Sequence, residues 1–275
     1  MSNPSESYKQ DVVPAKRRAP LDSDEMPATG RVGESFELPD RVTHYLTDVL
    51  RMQAGECVDL FDGSGRVILA EILGGDSERL QVCIRDDRMR LQSESPCAIT
   101  LVQAMPKGKR FDLILEKATE LGVARIIPLE SRRTVVKIPE AKIDKKLTRW
   151  ERIIEGGARQ CRRNITPELG PAMNLGQAIE SLQGIPNFVA HTAPGLASLP
   201  EILGADAARS SSADFASHPS VALWIGPEGG FDEAEIATLL DKGAHAFHLG
   251  PRVLRAETAS LVGLSLIQAY LGDLA

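Results

Sequence analysis

Long apolar runs are missing from this 275-residue chain: none approaches the roughly 20 residues that a bilayer-spanning helix needs. The opening Met1-Ser-Asn-Pro-Ser-Glu-Ser7 has neither the basic end nor the apolar stretch of a secretory leader. The four cysteines (Cys57, Cys83, Cys97, Cys161) lie far apart with no CxxC pair, which points to free thiols in a reducing cytoplasm. There is no GxxxxGK[ST] phosphate loop, no strand-linked GxGxxG and no Gly-x-Ser-x-Gly elbow; the lone Gly63-Ser-Gly65 belongs to a hairpin. His245 and His248 are three residues apart on an expected strand, so they face opposite sides and cannot share a metal. Hydrolase and metalloenzyme readings lose most of their support, and no metal and no membrane are expected.

What remains is ordinary globular material. Hydrophobic residues make up 43% and charged residues 25%, enough for one large domain or two modest ones, and disorder or coiled coil is excluded for the bulk of the chain. The net charge of -6, taken whole, argues against a nucleic-acid partner. Its distribution argues otherwise. Between Lys107 and Arg163 stand 16 Lys or Arg and 8 Asp or Glu, while the remainder carries 16 basic and 30 acidic residues. A basic block in an acidic protein is either a polyanion-binding face or a solvated helix face.

The organisation is legible in the rhythm of apolar residues. Residues 1–20 are polar and carry Pro4, Pro14 and Pro20 with a Lys16-Arg17-Arg18 cluster, expected as a flexible tail whose end orders on RNA. Residues 21–93 read as a small β domain, a barrel with one helix over about 39–51: Val58 and Leu60, then Ile68, Ala70 and Ile72, then Leu80, Val82 and Ile84 alternate with their neighbours. Residues 94–275 alternate apolar strands with amphipathic helices, which predicts an α/β domain whose parallel sheet is covered by helices on both faces. Asp232 with Glu235 has capping-box spacing at the head of one of those helices.

Two segments stand between expected strands and helices. The first is Ile225-Gly-Pro-Glu-Gly-Gly-Phe-Asp232, and the second is Leu249-Gly-Pro-Arg-Val-Leu-Arg-Ala-Glu-Thr-Ala259. Three glycines and a proline within five residues let main chain approach a ligand closely, and both segments fall at the carboxyl ends of strands, where open α/β sheets bind ligands. The residues by themselves describe a ligand site with backbone recognition and two arginines; two tight turns with solvated arginines are the bland alternative.

These paired segments closely resemble the RsmE family of 16S rRNA (uracil-N3)-methyltransferases, members of the SPOUT superfamily. Lys107-Gly-Lys-Arg-Phe-Asp-Leu113, Glu116-Lys-Ala-Thr-Glu-Leu-Gly-Val123 and Gln160-Cys-Arg-Arg163 with Pro167 are similar to other family segments. His44, Val49-Leu-Arg51, Gly55 and Leu60-Phe-Asp-Gly-Ser-Gly65 resemble the family's N-terminal RNA-binding domain. The resemblance spans about residues 30–273. It implies a PUA-like β barrel at 21–93, a trefoil-knotted SPOUT domain at 94–275, a homodimer in the cytoplasm, and 16S rRNA in an assembled small ribosomal subunit as substrate. S-adenosylmethionine is the implied cofactor, held by Ile225, Gly226, Glu228, Gly229, Gly230, Leu249, Gly250, Val253, Leu254 and Thr258. Where the family opens with an Arg and an aromatic pair, this chain has Arg17-Arg18-Ala-Pro-Leu21, and Arg159 and Arg162 replace a common Glu and a common small residue.

Methylating a uracil N3 requires in-line approach and loss of the N3 proton, so positioning and charge stabilisation supply most of the barrier lowering. Arg255 is the expected electrostatic residue, with Arg252 as second candidate, and Glu257 either accepts the proton or sits at the start of the last helix. Arg149, Arg152, Arg159, Arg162 and Arg163, with Arg17 and Arg18 of the tail, are the expected RNA contacts. A SPOUT ribose 2′-O-methyltransferase and a non-catalytic RNA-binding assembly factor are the alternatives.

Overall fold

The computed structural model describes residues 15, 17–75, 79–89, 93–135, 143–209 and 220–274. They divide into two units between Ser93 and Glu94, with the short segment Arg162–Ile165 belonging to the first. In that first unit, strands β1 (Arg17–Pro20), β2 (Ser35–Glu37), β3 (Cys57–Phe61), β4 (Arg66–Gly75) and β5 (Leu80–Met89) form one sheet in the order β1-β3-β4-β5-β2. The β3-β4-β5 core is the expected antiparallel meander. The side chains that the two-residue period points to one face, among them Val58, Leu60, Ile68, Ile72, Val82 and Ile84, are buried together with Leu38, Val42 and Leu46. The last two come from α1 (Asp40–His44) and the π-helical turn Tyr45–Val49 that continues it, in place of one uninterrupted helix.

The tail expectation needs correction at its end. Residues 1–14 and Lys16 lie outside the described residues, but Arg17–Pro20 is a strand that pairs in parallel with β3, Arg17 opposite Val58 and Pro20 opposite Phe61. Ala19 is fully buried and Leu21 nearly so. A parallel partner some forty residues away leaves no mark on local periodicity, so a short Pro-flanked segment reads as tail.

The second unit runs β6 (Ala98–Ala104), α2 (Arg110–Glu120), β7 (Arg125–Glu130), α3 (Ile143–Cys161), β8 (Glu168–Leu169), β9 (Met173–Asn174), α4 (Leu175–Ser181), β10 (Asn187–Ala190), α5 (Leu199–Arg209), β11 (Ser220–Ile225), α6 (Glu233–Asp241), β12 (His245–Phe247) and α7 (Ala256–Leu271). Its sheet has the order β12-β10-β11-β6-β7-β8, with β9 also beside β7, and every pairing is parallel. Both faces are covered, which is why the strands are nearly all apolar. Leu223 and Ile225 of β11 face a core shared with Phe111, Trp150 and Leu264, whereas Ala222 and Trp224 face one shared with Ala178 and Leu239.

Local chemistry sets the helix ends. On α2, Phe111, Ile114, Leu115 and Ala118 make one buried stripe, and Gly122 beyond its end has φ +77°, a left-handed stop. The α6 capping box forms as expected: the Asp232 side chain accepts from the Glu235 amide at 2.7 Å, and Glu235 accepts from the Asp232 amide at 2.9 Å. Four elements carry no periodic signal and escape sequence reading. The strands β8 and β9 have two residues each, too few for a period. The helices α4 and α5 present only short stripes, although Asn174 caps α4 with its own Gln177 box.

Candidate active site

Three neighbouring parallel strands, β12, β10 and β11, end at the same edge of the sheet. The loops that leave them, Ala190–Leu196, Ile225–Gly230 and His248–Ala256, line a single cleft of about 780 Å³, within the size range of small-molecule and cofactor sites. The two motif segments therefore meet in space, as their chemistry suggested. Every expected cofactor residue lines the cleft except Thr258, which sits on the first turn of α7. The loop from β10, with His191, Pro194 and Gly195 in it, was missed; a Pro-Gly pair following a buried strand was the available signal.

The cradle is made of backbone. Gly230 donates to the Pro227 carbonyl at 2.8 Å and has φ +66°, closing a tight turn. A Cβ on Gly226 would lie 2.9 Å from the Phe231 nitrogen and 3.1 Å from the Gly230 carbonyl carbon, so the loop folds on itself in a space that only glycine leaves open. Gly250 has φ +94°, and its amide donates to His248 Nδ1 at 2.9 Å. Gly229 is different, because a Cβ there would meet only the Arg133 side chain, at 3.5 Å, an ordinary contact.

Neighbouring loops brace the cradle. Arg133 Nη1 donates to the Gly229 carbonyl at 2.8 Å, and the Arg132 amide donates to Glu235 Oε1 at 2.8 Å. Glu228 Oε1 accepts from the Lys107 amide at 3.0 Å and from Arg110 Nη1 at 2.7 Å. Burial pushes the Glu228 carboxyl up, but the Lys107 amide, its own amide and the Arg110 charge outweigh this and hold it below the usual carboxylate range. At the head of α7, the Ser260 hydroxyl donates to the Ala256 carbonyl at 2.8 Å and also to Gln103 of β6. Both of these side chains are fully buried, which pins the second motif to the sheet.

Of the expected catalytic residues, Arg252 and Arg255 line the cleft and are exposed. Arg255 occupies the N-cap of α7 without using its side chain as a cap, so its guanidinium is free of that duty. Glu257 does not line the cleft. Its side chain is 14% exposed, with Oε1 3.7 Å from Arg110 Nε, and its Oε2 is buried with no donor among the described residues.

The arginines expected on RNA separate into two groups. Arg152, Arg159, Arg162 and Arg17 are exposed. Arg149 is paired with Asp112 of α2. In the first unit Arg163 is only 4% exposed. Arg18 lies over the Phe61 ring at 4.3 Å, donates to the Arg163 carbonyl at 3.4 Å and bonds Asn164. Arg18 thus holds the 162–165 segment on β1 and β3; the charge pattern could not reveal that Arg18 is spent on such contacts or that Arg163 is buried. Among the described residues no cluster of His, Cys, Asp or Glu is placed to hold a metal, and no helix is long and apolar enough to cross a membrane.

Comparison with known proteins bears on the same two units. Residues 93–268 match the RNA methyltransferase domain family, and residues 38–84 match the RNA methyltransferase PUA domain. Ribosomal RNA small subunit methyltransferase E of Synechocystis is 34% identical over 83% of this chain and 71% of its own length; that of Bacillus subtilis is 30% identical over 85% and 89%. Among solved structures, the Neisseria gonorrhoeae enzyme of that name, bound to S-adenosyl methionine, superposes with a TM-score of 0.79 at 30% identity, covering 94% of this chain and 99% of that one. A Legionella pneumophila putative methyltransferase in complex with the same cofactor gives 0.76 at 35% identity, covering 94% and 98%. With the glycine cradle, the two arginines and the PUA match all on one chain, this protein belongs to the ribosomal RNA small subunit methyltransferase E family of RNA methyltransferases.

Proposed function

We propose that this chain methylates N3 of a specific uridine in 16S rRNA, within an assembled small subunit, with S-adenosylmethionine as methyl donor. The observation that carries the reading is the cleft itself. It is built from backbone that approaches too closely for any side chain at Gly226 and is flanked by two exposed arginines. Bound there, the cofactor supplies an electrophilic methyl group on a sulfonium, whose leaving group is a neutral thioether. The protein's own work is to bind, align and manage charge. The loops from β10, β11 and β12 hold the donor; Arg255, with Arg252 three residues before it, lines the open cleft and stabilises the uracil as its N3 proton passes to solvent. Such stabilisation accelerates the reaction because the charge appears only on the way to the transition state. Glu257, 14% exposed and outside the cleft lining, acts as an anchor rather than as the base.

We further read the second unit as trefoil-knotted, on the strength of β12 returning beside β10 with both motif loops meeting in one cleft. The first unit is read as a PUA-like barrel, in which β1 and β2, the two edges of the sheet, are the strands such closure brings together. A homodimer is part of the same reading, with Val253, 84% exposed on a loop of the cleft, as the side chain a partner would cover. Exposed Arg152, Arg159, Arg162 and Arg17 are the RNA phosphate contacts, and a cytoplasmic place follows from the substrate. The test is mass-spectrometric mapping of modified uridines in 16S rRNA with the gene removed and restored. A single N3-methyluridine that disappears and returns is expected; a ribose 2′-O-methyl group, or no change in the presence of cofactor binding, refutes the assignment.

A further inference from the structure

The Lys107-Gly-Lys-Arg-Phe-Asp-Leu113 segment, whose Lys107 amide and Arg110 brace Glu228, also reaches the second motif segment. Its first three residues belong to the β6–α2 connection, and β6 lies directly beside β11 in the sheet, so this connection borders the loop that carries Glu228. Arg110, the first residue of α2, reaches both motif segments at once. Its Nη1 is 2.7 Å from Glu228 Oε1, and its Nε is 3.7 Å from Glu257 Oε1. Neither carboxylate is bonded to the other's loop by any contact described above. The guanidinium fork is the shared element.

Its foundation is rigid, because Phe111, the next residue, is buried against Trp150 with ring centroids 4.5 Å apart. The Arg110–Glu228 pair is partly exposed, 41% and 34%, and by itself contributes little; the Glu257 arm is drier. Glu257 is 14% exposed and its second oxygen has no donor among the described residues, so removing Arg110 leaves a largely buried carboxylate without its cation, the costly way to break a pair. We propose that Arg110 is a positioning residue that couples the two cofactor loops to each other through Glu228 and Glu257. The role rests on reading the cleft as the S-adenosylmethionine site, and it places in one side chain the registry between the cradle at Gly226–Gly230 and the segment that presents Arg255.

The experiment is calorimetric titration of the full-length protein with S-adenosylmethionine, without RNA. Arg110→Gln is expected to raise Kd about 10- to 150-fold, the range for a hydrogen bond to a charged group. Glu228→Gln and Glu257→Gln are then combined in a double-mutant cycle. With Arg110 present their effects are non-additive, the pair costing less than the product of the singles. In the Arg110→Gln background Glu257→Gln removes the charge left without its cation and recovers part of the affinity, Glu228→Gln costs little, and the two act independently. Arg110→Lys, which keeps the charge and loses the fork, recovers part of the affinity. A residue of merely structural importance would lower the thermal midpoint without creating that coupling. Kd within twofold of wild type for Arg110→Gln, or additivity of the two carboxylate substitutions with Arg110 in place, overturns the proposal. Should Arg110→Gln fail to fold, the cycle in the wild-type background together with Arg110→Lys decides it. Wild-type protein that does not bind takes down the cofactor reading as well; wild-type binding with additive variants takes down this inference alone.

Discussion

Gly226→Ala and Gly229→Ala are chemically identical substitutions three residues apart in one loop, and the structure predicts opposite results. At Gly226 the new methyl group would sit 2.9 Å from the Phe231 nitrogen, where ordinary contact begins near 3.4 Å. Both nearest atoms are backbone, so no side chain can swing away; the turn closed by Gly230 must open by about 0.5 Å. Forcing an extra methylene into well-packed surroundings costs about 1–3 kcal/mol. If the loop relaxes open, binding must close it again, and S-adenosylmethionine affinity falls about 5- to 150-fold. If it stays closed, the same strain appears as a lower thermal midpoint. At Gly229 the methyl group meets Arg133 Cδ at 3.5 Å, an ordinary contact with a flexible side chain, so the thermal midpoint should hardly move. Calorimetry and thermal melts on both variants read the two channels together. Equal losses at the two positions, or no loss at Gly226 in either channel, would show that close backbone approach is not what the glycines provide.

Four further outcomes follow from the geometry. Arg255→Ala should lower the single-turnover methylation rate by about 10²–10³-fold, as for loss of one oxyanion donor, with cofactor Kd little changed because the α7 N-cap does not use that side chain; a defect confined to RNA affinity would make it a phosphate clamp. Arg152→Ala with Arg159→Ala should flatten the salt dependence of RNA binding by up to about 0.9 in slope per lost phosphate contact, measured by titration at several salt concentrations, and an unchanged slope means a solvated face. The Asp232 carboxyl is held below its ordinary range first by the Glu235 amide and, against desolvation, by Arg132, so its stabilising contribution is complete above the ordinary carboxylate range and disappears as pH falls through the lower folded value; Asp232→Asn should remove that part of the acid limb in melts taken from neutral pH downward. Gly263→Ala would bring a Cβ to 2.9 Å from Leu223 Cδ2 and should destabilise alone, yet cost less on top of Leu223→Ala, which itself loses about 2–5 kcal/mol; additivity in denaturant unfolding would refute this account of α7 packing on β11.

Much of this protein is written locally. Val58, Leu60, Ile68 and Ile72 announce the meander because a strand repeats every two residues, and Phe111, Leu115 and Ala118 announce α2 because a helix repeats near every fourth. Asp232 and Glu235 specify the start of α6 within a single turn, and Gly226, Gly230 and Gly250 declare a cradle because the close approach at the first and the positive φ of the other two favour glycine. What the tertiary structure decided are relations between distant residues. Arg17–Pro20 becomes a strand only because β3 offers it an edge. The loop from β10 joins the cleft because β10 lies between β12 and β11. The basic block looked uniform as charge, but Arg163 is buried, Arg149 meets Asp112, and Arg110 meets Glu228 across 118 residues of chain. An arginine's side chain reads as solvated until its surroundings are known, and periodicity records only which face is dry, never which carboxylate waits on the other side.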